Sequence, residues 1–399
     1  MDELLMLTHR IPYPPDKGDK IRSWHFFKHL ASRFSLYLGT FVDEDRDWSF
    51  VEKLRGMCRD SFFAKLDRRT ARLRSLRGLL NGGPLTNPFY SDRALDRWVQ
   101  EILSRTSRAR ILIYSSAMAQ YITPDIRETR RCVADLVDVD SEKWLEYGRG
   151  VSGVKSYLLR REGTKLRDVE REIASTFSST VVATENEREL LNGLAPESTK
   201  RIVCIRNGVD AEYFSPNRNY ERPPELCGTV LVFTGVMDYA PNIDAVVYFT
   251  KNIFPLVREK IPDAQFLIVG SNPHRTVIEL ASGSDIIVTG RVPDVRPYLA
   301  HARAVVVPLR IARGVQNKLL EGMAMAKAVI ALPAAAVGIE GEAGKEFLVA
   351  NDPESFAAAI YSVAFSERGD ALGQSARQRI LASYSWSANA ALLEATLSA

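Results

Sequence analysis

Residues 302–332, "ARAVVVPLRIARGVQNKLLEGMAMAKAVIAL", decide how the rest of the chain reads. An apolar run, "ARAVVVPL", seldom alternates with polar residues, as expected of a strand buried on both faces. A basic stretch follows, then Gly314, then a helical pattern whose first turn is polar, then a second apolar run, "AVIAL". Strand, loop, helix and strand in this order make a parallel βαβ unit. A helix beginning near Val315 or Gln316 presents unpaired backbone N–H groups and a positive dipole end. Arg310, Arg313 and Lys318 add full charges around that start, and the combination favours a phosphate or diphosphate. Glu321 lies about one turn into the helix, where its carboxylate can accept hydrogen bonds from ribose hydroxyls. The competing reading is a solvated basic loop and a helix-face glutamate.

The same alternation extends outward. In the first half "ELLMLT", "SLYLGTF", "ARILIYS", "RCVADLVDVD", "TVVAT" and "RIVCIRNG" read as strands. In the second half "TVLVFTG", "AQFLIVG", "DIIVTG", "ARAVVVPL", "AVIAL" and "EFLVA" do so. Helical stretches such as "IRSWHFFKHLAS" and "NIDAVVYFTKNIFPLVREK" lie between them. Doubly wound α/β sheets follow. The alternation breaks at 213–228, "YFSPNRNYERPPELCG", whose prolines, asparagines and charges mark a linker. With 399 residues, each side holds enough chain for one Rossmann-like domain, 1–212 and 213–383. Two such domains create a cleft at the carboxyl edges of their strands, where open α/β sheets bind ligands.

Composition excludes other classes. Hydrophobic residues at 46% and charged residues at 26% suit a folded globular chain, and a net charge of +4 is too small to argue for nucleic acid. Cys58, Cys132, Cys204 and Cys227 show neither C-x-x-C spacing nor a disulfide framework, so they read as buried thiols in a reducing compartment. The N-terminal stretch is not a secretory signal and no apolar run is long enough to span a bilayer. A cytoplasmic protein is expected, with membrane-surface contact left open.

Two further strand-end glycines, Gly235 and Gly290, and a third, Gly270, join Gly314 as points where backbone can turn or a ligand approach closely. Pro241 and Asn242 precede an amphipathic helix, so Asn242 is read as its cap, as a ligand contact, or both. In the first half, "YPPDKGDKIRSWHFFKHL" places Gly18 in a loop just before a helix. Asp19 is a candidate cap, and Arg22 and His25 lie on the early turns, facing the expected cleft. "VDVDSEKW" ends a strand in Asp138, Asp140 and Ser141. Either carboxylate can hydrogen-bond or orient an acceptor hydroxyl. The competing reading is helix capping by Asp140 or Ser141, with Lys143 offsetting the charge. In 62–80, "FFAKLDRRTARLRSLRGLL", Phe62, Leu66, Leu73, Leu76 and Leu80 fall on one helical stripe. Lys65, Arg68, Arg69, Arg72, Arg74 and Arg77 surround it, as in a helix that lies on anionic headgroups.

At this point the chain resembles a family. "IRNGVDAEYFSP", "VFTGVMDYAPNIDAV", "FLIVGS", "VTGRVPDVRPYLAHARAVVVPL" and "GVQNKLLEGMAMAKAVIA", in that order, resemble glycosyltransferase family 4, of the two-domain GT-B fold. "PYPPDKGDKIRSWHFFKHLA", "SSAMAQY" and "DLVDVDSEKW" are similar to the sugar transferases associated with exosortase (PEP-CTERM) systems of exopolysaccharide-producing bacteria. The resemblance implies a nucleotide-diphosphate sugar as donor, retention of anomeric configuration, and no metal or other cofactor. The base would lie near Arg291 and Val292. The loop Gly314, Val315, Gln316 and Asn317 would take the diphosphate and sugar, and Glu321 the ribose. Gly18 would match the family's glycine loop after the first strand, and Asp138 and Asp140 stand where relatives often carry an acceptor-side histidine. By analogy of fold, a last helix over 384–399 would cross back to the N-terminal domain, anchored by Trp386. The family's paired glutamates end at the position of Glu321, but the earlier one is Arg313 here, and an arginine cannot accept hydrogen bonds from sugar hydroxyls. The function expected is transfer of a sugar to a lipid-linked glycan acceptor in cell-surface polysaccharide synthesis. The alternatives are a sugar-nucleotide epimerase on the same scaffold and a binding subunit that lacks catalysis.

Overall fold

The computed structural model describes residues 2–281, 283–312 and 314–399. The chain divides into two compact units, Met1–Asn207 with Trp386–Ala399, and Gly208–Ser385.

The first unit is built on seven parallel strands: β1 (Glu3–Thr8), β2 (Ser35–Val42), β3 (Asp60–Lys65), β4 (Arg110–Tyr114), β5 (Cys132–Val137), β6 (Ser179–Val182) and β7 (Ile202–Cys204). Their spatial order is β3-β2-β1-β4-β5-β6-β7. Leu4, Leu5, Met6 and Leu7 are all fully buried, because helices cover both faces and every side chain of the strand meets one of them. The helix Trp386–Ser398 belongs to this layer. Trp386 stacks on His25 with ring centroids 4.5 Å apart and meets Phe26 edge-on.

The second unit has six parallel strands: β8 (Thr229–Thr234), β9 (Ala264–Val269), β10 (Ile286–Gly290), β11 (Ala304–Val307), β12 (Ala328–Ala331) and β13 (Leu348–Val349). They run in the order β10-β9-β8-β11-β12-β13. In both sheets the chain winds first to one side and then, after a crossover, to the other. The winding reverses between β1 and β4 in one unit and between β8 and β11 in the other. Loops leave such a pair in opposite directions and open a crevice at the carboxyl ends.

Two elements differ from their sequence reading. The single amphipathic helix expected over 62–80 does not form. Phe62 and Phe63 belong to β3, which pairs with β2 from Asp60↔Tyr37 to Lys65↔Val42. Helix resumes only at Arg68–Ser75, capped by the Asp67 carboxylate on the amides of Arg69 and Thr70, and continues as a short turn at Arg77–Leu80. Helical spacing of the apolar residues had masked a strand whose neighbour makes the backbone bonds. The helix expected over 242–260 is also interrupted, at a π turn, Phe249–Ile253. Pro255 supplies no N–H and its ring would clash with the carbonyl one turn back, so the ladder widens before it.

Candidate functional site

The crevice between β8 and β11 collects most of the residues expected to bind an anion. β8 runs into Gly235, and β11 runs through Pro308 and Leu309 to Arg310 and the loop at Gly314. Gly314 has φ of 63°, a left-handed conformation that glycine adopts without strain. The helix Asn317–Ala324 follows directly. Gln316 precedes it with no side-chain cap on the helix amides, and its carboxamide instead donates to the Gly314 carbonyl at 3.2 Å. Val315 packs against the core of this unit. The sequence-expected helix start is therefore present one to two residues later, and among the described residues no side chain caps its first amides.

Lys318, on the first turn, donates from Nζ to Asn242 Oδ1 at 3.0 Å and lies 5.0 Å from the centre of the Phe233 ring. The Asn242 amide donates in turn to the Val236 carbonyl at 2.9 Å. Of the roles expected for Asn242, the cap is not made: the helix Ala240–Tyr248 starts after Tyr239 without a side-chain cap, and Asn242 is its third residue. Its role is to join the Gly235 turn to Lys318. That geometry requires glycine at 235, where a Cβ would meet Asn242 Nδ2 at 2.7 Å. It also requires glycine at 270, where a Cβ would lie 1.6 Å from the Gly235 carbonyl oxygen. The Gly270 amide donates to Gly290 O at 3.2 Å, so the three strand-end turns brace one another.

Lys318 and Glu321 form the electrostatic centre. Burial pushes the Lys318 ammonium down to about 8, with the Glu321 charge opposing the shift. Burial pushes the Glu321 carboxyl up to about 7, opposed by Lys318. The two charges are three residues apart on one helix, yet no carboxylate comes within salt-bridge distance of Lys318 among the described residues, and its nearest polar partner is the neutral Asn242. A half-buried ammonium held this way attracts an anion, since a direct contact would add to the counter-charge that Glu321 supplies only from beyond salt-bridge distance.

The other basic residues behave differently. Arg310 is half exposed and grips the Asp244 carboxylate through Nε at 3.0 Å and a second guanidinium nitrogen, above the Tyr248 ring. The sequence reading missed Asp244, which shares a helix with Asn242 and takes part of the charge expected for a ligand. Arg313 lies outside the described residues. Arg291 is exposed beyond Gly290, whose φ of 67° follows an irregular register at the end of β10, and Val292 packs partly against the core.

In the first unit the structure reassigns several candidates. Gly18 opens the helix Gly18–Ala31, but Asp19 does not cap it. Asp19 accepts from Arg10 at 2.7 Å and lies 3.6 Å from His9 Nε2, and these neighbours hold its carboxyl well below the usual range against the pull of burial. Arg22, expected to face ligand, is fully buried. It donates to Asp135 at 2.8 and 3.2 Å and to Asn207 at 2.9 Å, so all of its charge is used inside the unit. His25, expected to face the cleft, is the ring under Trp386.

Ser141 is buried too. Its amide donates to Glu170 Oε1 at 3.0 Å and its hydroxyl donates to Glu170 Oε2, while the Val139 amide donates to Glu187 at 2.6 Å. The helix Asp140–Arg149 is thus capped from outside by two glutamates of other helices, neither of which the sequence singled out, and not by Asp140 or Ser141. Burial raises the Glu170 carboxyl to about 8, with Asp140 and Glu187 adding to the rise. Asp138 and Asp140 remain at the carboxyl end of β5. Asp138 is half-buried, and Asp140 sits 3.9 Å from Lys143. Just before them Val137, a β-branched residue, has φ of 68°, and at the end of the neighbouring β4 Ser115 has φ of 83°. Non-glycine residues in that region cost free energy and concentrate at functional edges. Nothing in the local sequence announces either one.

Residues 228–364 match a family model described as glycosyl transferases group 1. No curated protein sequence matches the chain. Solved structures share the architecture over nearly the full length. A sucrose-phosphate synthase from Thermosynechococcus elongatus superposes with a TM-score of 0.69 at 18% identity, covering 98% of this chain and 97% of that one. Anabaena Alr3699/HepE in complex with UDP gives 0.68 at 14% identity, covering 99% of each chain. A variant of S. aureus TarM in complex with fondaparinux, α-GlcNAc-glycerol and UDP gives 0.67 at 11% identity, covering 100% of each. Two parallel-sheet α/β domains of this kind are the GT-B fold.

Proposed function

We propose that the chain is a retaining glycosyltransferase of family 4 that moves a sugar from a nucleotide diphosphate to a lipid-linked glycan acceptor, on the cytoplasmic side, in exopolysaccharide assembly of the exosortase-associated kind. The observation that carries this reading is Lys318: an ammonium at an uncapped helix start, in the crevice where the second sheet reverses, partnered by an amide rather than a carboxylate. The group 1 family match over 228–364 spans this crevice, and the HepE and TarM complexes contain UDP.

The diphosphate would lie against the amides of Asn317 and Lys318 and the Lys318 ammonium, with Gly235 and Gly314 allowing its approach. Glu321 would accept from the ribose, and the base would pass Arg291 and Val292. In the transfer, the bond between the sugar's anomeric carbon and the diphosphate oxygen breaks, and the acceptor oxygen bonds to that carbon on the same face. The acceptor proton ends on the departing diphosphate. The protein's share is to stabilise charge growing on the leaving group, which Lys318 and the helix start are built to do, and to align the acceptor, which falls to Asp138 and Asp140. No metal or cofactor enters the scheme.

A thermal-shift panel of nucleotide diphosphates and nucleotide sugars tests this directly, since a ligand bound to the folded state raises its stability by mass action. Stabilisation by one nucleotide family, lost in Lys318→Ala, is expected. A flat response across the panel would remove the proposal.

A further inference from the structure

The segment expected to form one amphipathic helix does something more specific. With Phe62 in a strand and Leu66 buried, only its second half remains outside: Leu73 is 71% exposed, Leu76 52%, Leu79 41% and Leu80 87%. The protein-facing side of these helices is occupied by Ala71, Gly78 and Arg74, whose guanidinium holds the carbonyls of Pro88 and Phe89 at 2.8 Å. The leucines therefore point outward because the inner face is already filled.

A second element, distant in sequence, continues the patch. Arg161 donates to the carbonyls of Gly78 and Gly83 at 2.9 and 3.1 Å, which fastens the long helix Gly153–Thr176 beside the turn bearing Leu79 and Leu80. Tyr157 and Val154 lie four and seven residues before Arg161, on the same helical stripe, and are 67% and 77% exposed. Around these six apolar side chains the exposed charges are predominantly basic: Arg69, Arg72 and Arg77 within 68–80, and Arg149, Lys155 and Arg160 within 147–161, with the exposed acids Asp67 and Glu146 standing at the outer ends of the two segments. Neither 68–80 nor 147–161 contains an acidic residue.

We infer that this two-element face docks on the surface of an anionic phospholipid bilayer, with the leucines, Val154 and Tyr157 entering the headgroup boundary and the arginines bound to lipid phosphates. Charge selects the occupant. A second copy of the chain, mated face to face, would set arginine against arginine around a leucine centre, whereas an anionic bilayer accepts both the apolar side chains and the positive rim. No described helix is long and apolar enough to cross a membrane, so the contact is one of lying on the surface. The inference is independent of the sugar-transfer reading.

The full-length chain is sedimented with vesicles of pure phosphatidylcholine, or of phosphatidylcholine with about one-third phosphatidylglycerol. Binding to the anionic vesicles only is expected. Leu73→Glu with Leu80→Glu, and separately Arg69→Glu with Arg72→Glu, should each lower the partition coefficient by roughly tenfold or more. All four side chains are outside the core, so the melting temperature should not move, and nucleotide thermal shifts measured on the same samples report the other site separately. Absence of wild-type binding, or variants that bind as wild type does, overturns the inference. So does a lipid-free dimer abolished by the same variants, which would show that the face covers a second copy.

Discussion

Lys318 and Arg22 show how the same chemistry acquires opposite roles at the scale of one residue. Both are basic, both lie within the first two turns of a helix that a glycine introduces, and both read from sequence as ligand contacts. Arg22 is satisfied by Asp135 and Asn207 in the interior. Its loss strands a fully buried carboxylate, so Arg22→Ala should destabilise the protein by about 3–5 kcal/mol in chemical denaturation, whatever it does to activity. Lys318 faces an amide. Lys318→Ala should leave the fold nearly intact and lower transfer by roughly 10²-fold or more, because it withdraws a charge from the developing anion. Near-normal turnover would contradict the assignment.

The Lys318 ionisation gives a second test at the same scale. Its folded value near 8 lies below the ordinary 10.5, so between those limits the unfolded chain holds a proton that the folded chain lacks, and stability rises with pH. Glu321, raised from 4.5 to about 7, works in the other direction: stability falls as pH rises through that window. A diphosphate beside Lys318 favours the ammonium. At a pH somewhat above 8, where Glu321 is already ionised, nucleotide binding should take up a proton. Calorimetry in two buffers of different ionisation enthalpy measures it, and identical heats in both would contradict the placement of the diphosphate.

At the scale of elements, the informative cases are caps made at a distance. The helix after β5 donates its N-terminal amides to Glu170 and Glu187, which lie on other helices. Glu170 holds its proton up to about 8, so the folded chain binds a proton between 4.5 and that value that the unfolded chain does not, and stability declines with rising pH there. Glu170→Gln preserves the acceptor for the Ser141 amide and removes the ionisation. Its melting temperature should lose that part of its pH dependence, while Glu170→Ala should cost about 1–3 kcal/mol at every pH. The strand-end turns form a comparable unit. A methyl at residue 270 collides with the Gly235 backbone, so Gly270→Ala should displace the turn that positions Asn242 and weaken nucleotide binding as well as stability.

For the whole molecule, most of the architecture was legible because parallel sheets advertise themselves. Twelve of the strands appear as short apolar runs, since burial on both faces removes any polar alternation. β3 was hidden because it lies at the sheet edge with half-buried phenylalanines and runs straight into a basic helix of matching period. The Gly314 turn and its helix were legible for a similar reason: a glycine, a polar first turn and flanking strands are local signals. Asp244, Glu170, Glu187 and the strained Val137 were not, because what makes them matter is a neighbour far away in the chain.

The amino-acid order alone determined the alternation of strand and helix and the position of the Gly314 turn and the helix that follows it, consequences of hydrophobic period and backbone chemistry within a few residues. Only the tertiary structure decided which charges are free to meet a ligand. A charge acts on a substrate when no partner within the fold neutralises it, and partners such as Asp135 for Arg22, or Asp244 for Arg310, are brought close by sheet order and helix packing over separations that no local pattern encodes.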